Sequence, residues 1–242
     1  MQTVMATTIN KQRLLTHLFS ALKKAYEPDE AANRPVLEQF LYALCRENAT
    51  REHADQAYSN LRGQFFDWNE VRVSSLRELE DSLADLSEPS VRAQRIAGFL
   101  QEVFETTFSF DLESLHKKGL KQAAKQLARF QAANDYAVSW VVLHSLGGHA
   151  IPLDPPTLRV LRRLGLIEED EDDLEVIRAS LEHQIPKSKA AQFCDIISYI
   201  ADKYCLEDSP NCAACPLSAE CVYGRNARET VTASRSSRVK PR

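Results

Sequence analysis

The chain has 242 residues, 44% of them hydrophobic, with a formal net charge of −4, enough for one large domain or two small ones. This composition excludes a disordered chain, and no secretory signal pattern or bilayer-length apolar run is present. Charge is unevenly placed: residues 225–242 carry six Lys/Arg and one Glu, a net +5 that leaves −9 on 1–224. Nucleic-acid affinity comes largely from neutralising phosphates, so the acidic body is a poor surface for it and the tail the better one; a solvated, disordered end is the alternative.

Only seven glycines occur, and apolar residues recur at helical spacing, which predicts an all-α protein. Leu14, Leu15, Leu18, Phe19 and Leu22 mark an amphipathic helix over 11–26. Pro35 starts a second through Val36, Leu37, Phe40, Leu41 and Leu44, and Thr50 caps a third to residue 62. Residues 65–73 read as an aromatic-rich connection, in which Phe65, Phe66 and Trp68 fit packing better than stacking on a base. Helices follow over Leu76–Leu86 and Val91–Phe108, then a pair over Leu120–Phe130 and Tyr136–Leu146, with Trp140 in the core. Pro155 and Pro156 open a short helix to Leu164, and an acidic run spans 168–173. Arg159 and Arg163, four apart, are placed to pair with that run. Two more helices, 174–183 and 187–204, lead to a group of cysteines. His144 and His149 flank Gly147–Gly148 and read as structural.

Cys205, Cys212, Cys215 and Cys221 are spaced C-x6-C-x2-C-x5-C on a turn-rich segment. Four thiolates so close together select a soft metal centre, zinc, copper(I) or an iron–sulfur cluster. A pair of disulfides is the bland alternative, disfavoured in a reducing compartment. Spacing alone does not separate zinc from iron–sulfur, so a zinc-stabilised helical protein stays open. Cys45 and Cys194 are expected as spectators buried in helices.

The same cysteine spacing resembles the cluster loop of endonuclease III and the adenine-mismatch glycosylases. The segment Ile151-Pro-Leu-Asp-Pro-Pro-Thr-Leu-Arg-Val-Leu-Arg-Arg-Leu-Gly-Leu166 is similar to their V-D-T-H-V-x-R-V-x-x-R-L-G-L pattern, with Asp154, Arg159, Val160, Arg163, Leu164, Gly165 and Leu166 matching without a gap. Asn48-Ala-Thr50 follows an apolar helix where that family has Q-A-T. The resemblance implies a two-lobed helical DNA-glycosylase fold. A six-helix barrel with a degenerate helix-hairpin-helix would span 33–148, and a cluster lobe 149–224. Residues 1–32 would pack on the cluster lobe, and 225–242 would be a basic disordered tail. It implies a [4Fe-4S] cluster on Cys205, Cys212, Cys215 and Cys221, structural in role. The partner would be double-stranded DNA with a damaged or mismatched base flipped into a cleft. The protein would be a monomer, cytoplasmic and associated with the nucleoid, with no membrane partner.

Asp154 falls where the family's carboxylate balances the cationic sugar formed as the base leaves; as a residue before Pro-Pro it is also a good helix cap. Eighteen residues earlier, where the family's Schiff-base lysine stands, is Tyr136, which has no amine; family members without lyase activity carry Ser or Tyr there. The hairpin L-P-G-V-G-R-K becomes Phe130-Gln-Ala-Ala-Asn-Asp-Tyr136, without glycine. Asn134 is the residue there able to take a positive φ, and Asp135 puts a carboxylate near the expected phosphate. Asn48 keeps the amide of the glutamine that fills the gap left by a flipped base. Leu206-Glu-Asp-Ser-Pro-Asn211 carries two acids where the family has Lys and Arg. The implied function is a DNA N-glycosylase of base-excision repair without Schiff-base lyase chemistry. The alternative is a non-catalytic relative that keeps the fold and cluster to bind DNA or protein.

Overall fold

The computed structural model describes residues 11–23 and 34–226. Among them the structure is helical with no strand, as expected. The end of the predicted first helix and nearly all of the basic tail lie outside the described residues.

The helices in chain order are α1 (Lys11–Ala21), α2 (Val36–Arg46), α3 (Arg51–Gln64), α4 (Trp68–Val73), α5 (Leu76–Ser82) and α6 (Pro89–Thr107). A 3-10 turn over Glu113–Lys117 precedes α7 (Leu120–Leu127), α8 (Asp135–His144), α9 (Pro155–Leu164), α10 (Leu174–Gln184) and α11 (Lys187–Lys203). Thr50 caps α3 by accepting from the His53 N–H, as its position predicts. The segment 65–73 is not a plain connection. Asp67 accepts from the Glu70 N–H and opens the short helix α4, which buries Trp68 and Val71 while Phe66 stands exposed.

Contacts divide the chain into two units. Among the described residues, one comprises 34–155 and 178–194, the other 11–23, 156–177 and 195–226. The larger unit is organised on α2, apolar nearly all round and buried along its length. Phe40 of α2 stacks on Phe99 of α6 with centroids 4.0 Å apart, and Phe130 meets both edge-on.

Arg92 of α6 is buried in this core without a carboxylate directly on its guanidinium. It donates to the carbonyls of Leu44, Glu47 and Ser87, two of them at the C-terminal end of α2. Helix ends leave carbonyls without intrahelical partners, and buried ones must be satisfied elsewhere. Arg92→Met is therefore expected to cost about 3 kcal/mol, since it strands several acceptors at once. The midpoint shift in urea unfolding measures it.

Candidate functional sites

The smaller unit carries the cysteines. Helix α9 buries Val160, Leu161 and Leu164, and Val160 and Leu164 wall an apolar cavity with Ile200, Tyr204 and Pro210. Cys205, Cys212, Cys215 and Cys221 all line it. Burial, with the neighbouring cysteines adding, holds the Cys215 and Cys221 thiols above the ordinary thiol range. Thiols in such a cavity ionise readily only when a metal centre supplies the compensating charge. The Cys221 Sγ accepts from the Gly224 N–H at 3.4 Å and lies 3.1 Å from the Arg163 carbonyl. A Cβ at Gly224 would come within 3.1 Å of the Ser218 carbonyl, so a side chain there would push that carbonyl back by a few tenths of an ångström. Among the described residues, no three His, Cys, Asp or Glu side chains are grouped as ligands of one metal ion.

Arg159 and Arg163 do not pair with the acidic run. One turn apart on α9, they reach the cysteine-bearing loop: Arg159 donates to the Cys205 carbonyl at 2.9 Å, and Arg163 to the carbonyls of Leu206 and Glu207 at 2.6 and 2.8 Å. Arg163 also lies 3.5 Å from the Cys205 Sγ and over the Tyr223 ring. Arg162, about 100° round the helix from Arg163, takes the pairing with Asp172 instead. Of the remaining cysteines, Cys45 is buried in α2, which pushes its thiol up to about 12, but Cys194 is only partly buried.

The larger unit holds Asp154, Tyr136, Asn48 and Asn134. Asp154 is buried, and its Oδ2 accepts from the Asn48 N–H at 3.0 Å. Asn48 sits just after α2 with φ +53, a conformation that asparagine tolerates better than most residues. This fold of the backbone turns its N–H to the carboxylate while the side chain stays exposed. Tyr136 is buried in the first turn of α8, and burial holds its phenol well above the ordinary value; Asp154 is among the nearby charges that add to this, against Arg46. The structure thus brings Asp154, Asn48 and Tyr136 into one neighbourhood.

The Tyr136 ring stacks on Trp140, and Trp140 on His144, one turn further each time. Burial pushes the His144 imidazole down to about 4, with Arg34, Arg51 and Arg46 adding to the effect. The folded form is therefore neutral between about 4 and 6.5, while the unfolded chain takes up a proton there. His144 contributes stability that is full above pH 6.5 and is lost as pH falls toward 4, by about 3 kcal/mol in all. His144→Phe should flatten that part of the stability–pH curve, read by denaturant unfolding between pH 4 and 7.

No family model matches the sequence. The chain is 24% identical over 216 residues to Protein ROS1A of Oryza sativa subsp. japonica, covering 83% of this chain and 11% of that protein. It is 26% identical over 173 residues to DNA glycosylase/AP lyase ROS1 of Arabidopsis thaliana, covering 65% and 12%. The chain thus spans only about a tenth of the length of these plant relatives. Among solved structures it superposes on a non-covalent endonuclease III–DNA complex with TM-score 0.72 at 20% identity, covering 92% of this chain and 100% of that one. A thermostable thymine-DNA glycosylase gives TM-score 0.67 at 14% identity, covering 89% and 97%. The chain has the helical fold of endonuclease III.

The segment 130–136, which the sequence suggests as a degenerate hairpin, is tied inward here. Asn134 does not adopt a positive φ; at φ −135 it caps α8, its Oδ1 accepting from the Ala137 N–H. Its Nδ2 donates to Glu47 at 2.6 Å, and Arg95 joins the Ala132 carbonyl to the same Glu47. Asp135 pairs with Arg178. With alanine where glycine would turn the backbone, the segment has become a helix cap held by side chains. Sequence reasoning missed Glu47, Arg95 and Arg178, because none sits within a recognisable motif.

Proposed function

We propose that the chain is a DNA N-glycosylase of base-excision repair that works without a Schiff base. The observation that carries this reading is the buried Asp154 carboxylate, held by the Asn48 N–H beside Tyr136. Its negative charge is positioned to balance an oxocarbenium-like sugar while water completes the displacement. The ligand is duplex DNA with a damaged or mismatched base turned out of the stack, because the glycosidic bond is inaccessible within it. Asn48 enters the space the base leaves, and Asn134 lies beside the backbone on that side. The protein acts as a monomer where the nucleoid lies. No described helix is long and apolar enough to cross a membrane.

Cys205, Cys212, Cys215 and Cys221 hold a [4Fe-4S] cluster. Four thiols around one apolar cavity fit it. Ligands of a single zinc stand within about 4 Å of one another, given Zn–S bonds near 2.3 Å, whereas a polynuclear cluster spreads its cysteines wider. When bound, the cluster supplies cross-linking of an irregular loop. Arg159 and Arg163 fix the loop carbonyls from α9, the helix that follows Asp154.

The plant relative named DNA glycosylase/AP lyase differs from this proposal in the second activity. The distinguishing residue is Tyr136, whose phenol offers no amine to a sugar carbon. Base release without strand nicking is expected, with no adduct trapped by borohydride, on a panel of lesion duplexes scored before and after alkali. A trapped adduct in the unaltered protein would refute it. The inward-tied hairpin favours the second reading, a non-catalytic binding module, and the outcome on that panel separates the two.

A further inference from the structure

Within the larger unit, one group of polar atoms takes no part in the chemistry described so far. Trp140 is 7% exposed, yet its buried Nε1–H has no hydrogen-bond partner. His144 stacks on it with centroids 4.2 Å apart, and its Nε2 is buried and unpartnered as well. The next residue, Ser145, also has an unpartnered, buried Oγ. Nearly all buried polar groups in folded proteins are paired, because an unmade hydrogen bond is costly. Two adjacent aromatic edges left open are therefore better explained by a ligand than by packing. Their position fits one. Tyr136 joins the ladder at 5.9 Å from Trp140, and Asp154 acts on Tyr136. Tyr42 lies 5.7 Å from Trp140, with its own hydroxyl already donated to Asp55.

We propose that Trp140 and His144 read the extruded base, the Trp140 Nε1–H donating to an acceptor on its edge and the His144 Nε2 making the second hydrogen bond. This rests on the glycosylase reading, since it places the base beside Asp154. An indole N–H only donates, so the base must present an oxygen or ring nitrogen there. Neutral imidazole can donate or accept, so the atom beside that acceptor is either a ring N–H or a second lone pair. A site whose polar groups are left unpaired by the wrong ligand discriminates by far more than a change in apolar contact does.

The test measures binding, with cleavage blocked by a 2′-fluoro sugar at the target nucleotide. Duplexes carrying thymine, uracil, adenine or 8-oxoguanine are compared with one carrying a tetrahydrofuran abasic analogue. The protein should prefer at least one base over the abasic duplex. Trp140→Phe keeps the ring stack and removes the N–H; it should weaken that preferred complex at least about 10-fold, the effect of one buried hydrogen bond, and leave the abasic complex unchanged. His144→Phe should behave alike, with thermal unfolding of both variants checked in parallel. Equal losses on base and abasic duplexes, no loss on either, or no base preference in the unaltered protein would overturn the proposal. Base preference retained by a protein that releases no base would sink the enzymatic reading while sustaining this one. Unimpaired base release by both variants would do the reverse.

Discussion

Replacing Asp154 with asparagine is expected to lower base release at least about 100-fold, the size of a single well-placed electrostatic contribution. The amide keeps the shape of the side chain and an oxygen for the Asn48 N–H, which the carboxylate accepts at 3.0 Å. What it loses is the charge that, in the proposed reaction, balances the sugar cation. Stability should change by only about 1 kcal/mol, because one charge-assisted hydrogen bond becomes a neutral one. Single-turnover release from a lesion duplex, set beside urea unfolding of the same variant, separates the two effects. If activity falls only in proportion to the folded fraction, Asp154 is a structural residue and the binding-module reading gains.

Much of this arrangement could be read in the sequence, for identifiable reasons. Helices α2 and α3 announce themselves through an apolar run and the Thr50 cap, and Asp154 through the segment ending in Leu166. Local signals of this kind survive divergence because a cap or a helical face needs only residue type at fixed spacing. Helix α4 was hidden by its aromatic content, although Asp67 and Glu70 offered the cap signal. Arg159 and Arg163 look like partners of the acidic run, since charge and proximity in sequence favour it, but a helix distributes three arginines over different directions. The cysteine-bearing loop, distant in sequence, claims two of them. Trp140 and His144 are legible as members of a helical face and no more. Periodicity says which side of α8 they occupy; whether their polar edges find partners depends on other elements altogether.

The largest structural effect should come from the cysteines. Cys212→Ala removes one of four thiols around the cavity between α9 and the C-terminal loop. A structural metal centre contributes on the order of 10 kcal/mol of folding free energy, so losing its closure cannot be absorbed by the packing of so small a unit. On the proposed [4Fe-4S] assignment, cluster content should fall from about four irons per chain, and the visible absorption of an iron–sulfur centre should go with it. The damage should be local. The core around Phe40 and Phe99 belongs to the other unit, so part of the helix signal should persist with protected amides there. Cys45→Ala provides the control: it sits in that core, does not line the cavity, and should leave iron content unchanged at a modest cost in stability. Hydrogen exchange mapped along both variants reads the difference. Stoichiometric zinc without sulfide in anaerobically prepared protein would replace the iron–sulfur assignment with a zinc site. A Cys212→Ala protein with full iron content and unchanged exchange would remove Cys212 from the ligand set.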